Sequence, residues 1–370
     1  MNNCTTVVGL DVHKDSIVAA VLPAGSSRPT DTLHIENQPK SVERLVRRCA
    51  GRGPAEFVYE AGPFGFELQR QLTGLGQRCV VIAPSLIPVR PGDRVKTDRR
   101  DAEKLARLYR AGELTPIHIP TEAWEAARDL VRSREDALED WLRARNRLNK
   151  FLLRQGLVFR ETRTWGIKHR DWRNSLRFAL PAHQQAFEAY RRTFDEAELR
   201  LKTLNEQLED LSQRDPYRIP VQYLRALKGI NTLSALTLVV ETQEFRRFPT
   251  APAFMSYSGL VSSERSSGPS VRRGSITKAG NAHIRRVLIE AAWCCRFGQA
   301  VSRELTARRV PCPTEVIDIA RRAQTRLGRK FQRLIHRGKT TNKAVVAVAR
   351  ELAGFVWAIG QHFPPVEASA

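Results

Sequence analysis

Two acids three residues apart, Asp98 and Asp101, lie in the basic run from Arg94 to Leu108, which also holds Lys96, Arg99, Arg100 and Lys104. On a helix this spacing puts both carboxylates on one face. The cations would draw in a polyanion and the carboxylates would repel it unless a divalent cation lay between them, a conflict that metal-dependent phosphate chemistry resolves. Locally, Thr97 and Asp98 are also ordinary helix-start residues, since their side chains accept first-turn N–H groups and suit the helix dipole. A pair of Mg2+ ions needs carboxylates from several segments, and Asp11 and Glu60 are the two others placed to supply them. An all-oxygen shell suits Mg2+ or Mn2+, whereas zinc would call for clustered His or Cys.

A second stretch rich in hydroxyls and cations runs from Ser256 through Ser263, Arg265, Ser266, Ser267, Ser270, Arg272, Arg273 and Lys278 to Arg285. Attack on phosphorus by water would make a nuclease. Attack by serine makes a protein–DNA phosphodiester, which retains the bond energy of the broken strand and permits rejoining without ATP. Ser267 is the favoured nucleophile because Gly268 follows it and opens the turn to a phosphate; Ser266, Ser263 and Ser270 stand as rivals. Arg265, Arg272, Arg273 and Lys278 would neutralise the developing charge, and Arg285 would hold the strand with them. The plain alternative is a flexible Ser/Gly loop with basic residues. His13, two residues beyond Asp11, reads as a polar turn residue or a structural histidine, and His283 is left out of the site.

These residues need a scaffold, and the hydrophobic pattern supplies one. Thr5 to Leu10 and Ser16 to Leu22 read as a hairpin, Asp31 to Glu36 as a third strand and Ser41 to Cys49 as a helix. Ala55 to Tyr59 is a strand ending at Glu60, Phe66 to Leu75 a helix, and Arg78 to Ala83 a strand. The order β-β-β-α-β-α-β-α predicts a mixed sheet with helices packed on it, and the acids fall at element ends, where loops at one sheet edge build a site. Thr121 to Gly156 and Gln184 to Asp210 carry helical periodicity, predicting a helical hairpin or dimerising coiled coil with packing aromatics and no chemistry. Asp215 to Pro220 reads as a linker. Beyond it come two helices around Lys228-Gly229-Ile230-Asn231, a turn that could touch phosphate. Pro313 to Ile335 and Asn342 to Ile359 complete the chain as helices, the first strongly basic on its exposed side.

The predicted domains are therefore 1–118, α/β and metal-binding; 119–214, a helical arm; and 215–370, mainly helical with the serine loop and a basic tail. At 370 residues the chain can bury two cores, and its formal charge of +22, spread along the sequence, calls for a large anionic partner such as nucleic acid. The six cysteines form no C-x-x-C pair and read as small buried residues in a reducing compartment. With no secretory leader and no apolar run long enough for a membrane span, the expectation is a cytoplasmic protein without membrane contact.

The motifs Gly9-Leu10-Asp11-Val12-His13-Lys14, Tyr59-Glu60 and Lys96-Thr97-Asp98-x-x-Asp101-Ala102 occur in order with Tyr257-Ser258-Gly259-Leu260, Ser267-Gly268 and Ile276-Thr277-Lys278-x-Gly280-Asn281. Together they resemble the DEDD-type insertion-sequence transposases, the bridge-RNA-guided recombinases, from about residue 5 to about residue 358. The resemblance implies an RNase H-like (RuvC-like) N-terminal domain, a coiled-coil arm and a C-terminal transposase domain. It also implies Mg2+ on Asp11, Glu60, Asp98 and Asp101, and a phosphoserine–DNA intermediate at Ser267. Its implied partners are donor and target double-stranded DNA, a structured guide RNA from the element's non-coding end, and further copies of the chain as a homodimer or homotetramer. Two other readings fit the residues: a hydrolytic RuvC-like nuclease or junction resolvase, which needs the acids but not the serine, and a non-enzymatic nucleic-acid-binding protein, which needs only the charge.

Overall fold

In the computed structural model the described residues are 5–365, apart from 52, 89–96, 163, 269 and 299. The chain divides into two compact units, one ending at Pro120 and one beginning at Thr121.

The first unit is built on a five-stranded sheet in the order β3-β2-β1-β4-β5. Strands β1 (Thr6–Val12), β2 (Ser16–Leu22) and β3 (Asp31–Glu36) form an antiparallel meander; α1 (Pro39–Ala50) follows. β4 (Ala55–Glu60) then pairs in parallel with β1, with Leu10 opposite Tyr59, and α2 (Glu67–Gly74) leads to β5 (Arg78–Ile82), parallel to β4. The central strands are nearly continuous runs of apolar residues because both their faces are covered. On one face Val8, Leu10, Phe57, Tyr59 and Val81 meet the Val42, Leu45, Val46 and Cys49 stripe of α1 and Leu68 and Leu72 of α2.

The other face is covered by α3 (Asp98–Ala111), whose Ala102, Leu105, Ala106 and Tyr109 recur at three-and-four spacing and lie buried. It packs on Val7, Leu22, Val58 and Ile82, and Ala102 also meets Val18 and Ala20. The fit at β1 depends on a missing side chain. A Cβ on Gly9 would lie 2.1 Å from the carbonyl oxygen of Ala102 and 2.7 Å from the nitrogen of Ala106. At its other end α3 is tied down by Arg110, whose guanidinium donates to the carbonyls of Thr5, Leu22, Pro23 and Ser26. The helix stops at Gly112, in the left-handed region that glycine adopts without strain.

The second unit opens with α4 (Glu122–Arg154), about 50 Å long at 1.5 Å per residue. After α5 (Ile167–Ser175), α6 (Pro181–Ser212) runs back along it, so that Phe151 lies beside Phe187 while Arg134 bonds Asn205. The pair is held by Ala144, Leu148, Phe151, Phe187 and Phe194 towards one end, and at the other Trp124, Ala127, Val131 and Leu208 enter the main core. That core is closed by α7 (Arg218–Leu224), α8 (Thr232–Thr242), α9 (Ala251–Tyr257) and α10 (Ala282–Ala292), and, after the short α11 (Arg303–Arg309), by α12 (Thr314–His336) and α13 (Thr341–Gly360).

Two expectations change here. Asp215 to Pro220 is no linker: Tyr217 is buried edge-on against Trp124 with ring centroids 4.9 Å apart, and residues from Arg218 onward form α7. A second expectation is narrowed: the turn at Gly229 packs against α10 on one side, where a Cβ would lie 2.4 Å from the carbonyl of Ala291, and Ile230 is fully buried, while Gly229 and Asn231 are exposed. No helix among the described residues is long and apolar enough to cross a membrane.

Candidate active site

Strand alternation builds the first half of the site. Residues two apart on a strand point the same way, so Val7, Gly9 and Asp11 face α3 together. Parallel registry of Gly9 with Val58 continues that face to Glu60 on the neighbouring strand, one step past the Leu10–Tyr59 pair. From the helix side, Asp98 lies one turn ahead of Ala102, on the stripe that packs against the sheet, with Asp101 in the same first turn. Thr97 caps this helix by accepting from the backbone N–H of Arg100. The close approach at Gly9 therefore places the start of α3 over the end of β1.

The result is a cluster in which ligand atoms of Asp11, His13 and Asp98 lie within 4.8 Å of one another. His13 Nε2 stands 3.4 Å from an oxygen of Asp11 and 3.4 Å from one of Asp98. Burial lifts the Asp11 carboxyl above its ordinary range; His13 opposes the rise, while the charges of Asp98 and Asp101 add to it. Asp101 is thus electrostatically part of the cluster, and Glu60 stands on the adjoining strand, exposed at its end.

The donor set fits a divalent ion. Two carboxylates converge from different elements, and His13 Nε2 is a buried polar atom without a hydrogen-bond partner, as a ligand nitrogen would be in the absence of its ion. His13 belongs to the turn, as expected, and its side chain also stands between the two carboxylates. A signal was available: Asp11-x-His13 has the spacing that sends both side chains to one face. The turn itself holds the histidine, whose N–H bonds Ser16 and whose carbonyl accepts from Asn37. Arg99 pairs with Glu103 at 2.9 Å on the exposed side, Arg100 is exposed beside it, and Lys96 lies outside the described residues.

The serine stretch, in the second unit, is an ordered hairpin. β6 (Ser262–Glu264) pairs antiparallel with β7 (Arg273–Ile276), and Ser267 and Ser270 exchange backbone bonds of 3.1 and 3.2 Å at the tip. Gly268 has φ of +57°, which a side chain would strain. The two leading candidates differ in surroundings. The Ser266 hydroxyl donates to Glu264 at 2.8 Å and, with Arg273, holds that carboxyl below its ordinary range. Ser267 is exposed at the tip. Arg265, Arg272, Arg273 and Lys278 are exposed along the hairpin.

Both feet of the hairpin are bolted to the core. Arg285 donates to the carbonyls of Ser258 and Ala279, so part of its guanidinium holds the fold instead of standing free. A Cβ on Gly280 would lie 2.0 Å from the carbonyl of Tyr257, and one on Gly259 2.1 Å from that of Ala279. Asn281, at the end of the returning strand, caps α10 and donates to Glu241 at 2.7 Å; Glu241 in turn receives a two-pronged contact from Arg132 of α4 at 2.8 and 3.0 Å. One turn further on, Glu135 pairs with His283 and Arg286. Burial alone would raise the Glu135 carboxyl, but these partners outweigh it and hold it below its ordinary range. None of this clamp was foreseen, because a charged residue in a helical repeat carries no mark of what it will meet.

Comparisons with known proteins identify the family. A DEDD transposase family model matches residues 8–155, and the model described as the IS116/IS110/IS902 transposase family matches residues 221–306. The chain is 38% identical over 358 residues to a Sinorhizobium fredii protein named as transposase y4qE, covering 96% of this chain and 88% of that one. It is 33% identical over 333 residues to the transposase for insertion sequence element IS1533 of Leptospira borgpetersenii, covering 88% of this chain and 96% of that one. With acids gathered at the sheet edge, a serine hairpin downstream and relatives aligned along nearly the whole length, this chain belongs to the IS116/IS110/IS902 family of insertion-sequence transposases.

Proposed function

We propose that this transposase exchanges DNA strands through a serine nucleophile aided by a divalent ion on its acids, in an RNase H-like domain carrying a coiled-coil arm. The observation that carries the metal half is the convergence of ligand atoms of Asp11, His13 and Asp98 within 4.8 Å of one another. Mg2+ or Mn2+ bound there would polarise the scissile phosphate and stabilise the departing oxygen. Asp11, Glu60, Asp98 and Asp101 hold it with His13 as a nitrogen donor, and Lys96, Arg99 and Arg100 steady the strand. The oxygen of Ser267 attacks phosphorus, the new O–P bond forms as the bond to one sugar oxygen breaks, the serine proton passes to a base, and the leaving sugar oxygen takes up a proton. Arg265, Arg272, Arg273 and Lys278 offset the charge on the phosphorane. The reverse step on a second strand regenerates the serine.

Ser267 is preferred to Ser266 because it stands exposed at the hairpin tip beside Gly268, where a phosphate has open access. The partners on this reading are donor and target duplex DNA, a structured RNA from the element's non-coding end, and further copies of the chain as a dimer or tetramer.

The test uses full-length protein, the RNA that copurifies with it, Mg2+ and a plasmid carrying the joined ends of the DNA flanking its gene. Denaturing gels should show a protein–DNA adduct in the wild type and in Ser266→Ala but not in Ser267→Ala, and chelation should abolish it in all three. Cleavage without any adduct, persisting in Ser267→Ala, would establish the hydrolytic nuclease instead. Sequencing the copurified RNA tests guidance: a defined transcript from the flanking non-coding DNA supports it, and bulk cellular RNA counts against it.

A further inference from the structure

A second row of cations lies on α12, an element that carries neither the acids nor the serine hairpin. Arg322, Arg326, Arg329 and Arg333 are exposed and follow one another at four, three and four residues, a single stripe about 16 Å long. They form one wall of a groove of about 830 Å3 between α12 and α13. From the opposite wall Glu351 reaches Arg326 at 3.0 Å and Lys330 at 2.5 Å, fixing these two cations, and its own carboxyl is held below the ordinary range despite its burial. Arg322, Arg329 and Arg333 have no carboxylate partner among the described residues. Also lining the groove is Phe355 of α13, half-buried.

We infer that this groove binds an unpaired nucleic-acid strand, its phosphates along the arginine stripe and a base against Phe355. Arg322, Arg329 and Arg333, on one face of the helix and without carboxylate partners among the described residues, suit the phosphates of an extended strand, and their planar forks match phosphate better than a lysine array would. The volume is too large for a single phosphate. An aromatic ring inside a basic groove is the arrangement by which proteins hold single strands, because every base offers a face to stack on. A duplex keeps its bases stacked on one another and would offer none to the exposed part of Phe355, whose remainder packs against the core. Glu351 sharpens the fit: it neutralises Arg326 and Lys330 and leaves Arg322, Arg329 and Arg333 to the strand. The inference does not depend on the serine chemistry or on the metal site, and unpaired RNA and unpaired DNA share the chemistry invoked.

The test is fluorescence polarisation of the full-length protein with labelled oligouridylate, oligodeoxythymidylate and a duplex of equal length. Arg322→Ala/Arg329→Ala/Arg333→Ala removes the unpaired cations from exposed positions and leaves the Glu351 pairs in place. A control triple, Arg147→Ala/Arg170→Ala/Arg192→Ala, removes equal charge from exposed positions on the arm. The expected result is at least a tenfold loss of single-strand affinity in the groove triple, with duplex affinity within twofold of wild type and the control unchanged. The slope of log K against log salt for single strands should fall by about 2, at roughly 0.7 for each lost phosphate contact. Phe355→Leu should weaken single strands alone. Loss on RNA only would assign the groove to RNA, and equal loss on both probes to unpaired strands of either kind. Duplex affinity falling in step with single-strand affinity, no loss at all, or an equal loss in the arm control would overturn the inference.

Discussion

The Asp11 carboxyl is in conflict with its own surroundings. Burial lifts its pKa, and the neighbouring charges of Asp98 and Asp101 lift it further. A group bound more tightly to its proton in the folded than in the unfolded state draws stability from that proton. The contribution is complete below the unfolded value of 3.8 and is lost as pH rises through the raised folded value. At neutral pH, without metal, Asp11 therefore destabilises the fold. Asp11→Asn should raise the metal-free melting temperature above that of the wild type while abolishing DNA cleavage, and scanning fluorimetry with a cleavage assay measures both. His13→Ala should weaken Mn2+ binding, read by titration calorimetry, by at least the roughly 10–100-fold typical of losing a residue that supports a metal site. The convergence of Asp11 and Asp98 was legible in the sequence because one ends an apolar run and the other opens a helix. His13 was not, because a histidine in a tight turn has an ordinary explanation, and only the arrival of Asp98 over β1 gives it another.

At the scale of elements, the site depends on how closely α3 approaches β1, and that closeness rests on Gly9. Gly9→Ala would drive a methyl carbon to 2.1 Å from helix backbone, which cannot rotate away as a side chain can. The helix must shift, at a cost of about 3 kcal/mol in urea denaturation by the scale of overpacked cores, with a parallel loss of metal affinity. The clamp beneath the serine hairpin makes a second prediction. The Glu241 side chain is fully buried, and Arg132→Met would leave its charge with Asn281 alone. Stability should fall by about 3 kcal/mol, the lower end for a broken buried pair because Arg132 is itself partly exposed.

The sheet was readable strand by strand because its strands are apolar and bounded by turn residues. The hairpin β6–β7 was not. Its residues are exposed on both sides, so no alternation of apolar and polar marks it, and Ser/Gly composition reads as loop. The segment before α7 was misread for the opposite reason: proline and charge suggested a linker, while one tyrosine, Tyr217, anchors it in the core.

At the scale of the whole molecule, the core of the first unit closes on itself. The residues packed around its sheet all come from within residues 1–120. That segment expressed alone should unfold cooperatively in urea and bind Mn2+ with near full-length affinity; a broad, gradual transition would show that its core needs the rest of the chain. The net charge of +22 sets the expectation for the intact protein, whose duplex affinity should fall linearly on logarithmic axes as salt rises, at about 0.9 per phosphate neutralised.

The hairpin tip has one more consequence. On the proposed chemistry Ser267 is the reactive group, yet the nearest acid on its own hairpin, Glu264, is engaged by Ser266 and Arg273, and the tip stands open to water. An alkoxide does not form unaided on an exposed serine at neutral pH. An enzyme that cut DNA whenever the two met would be a hazard to the cell that makes it. On the proposed chemistry the hydroxyl, held out on a hairpin anchored at both feet, would stay inert until something beyond the hairpin supplied the base.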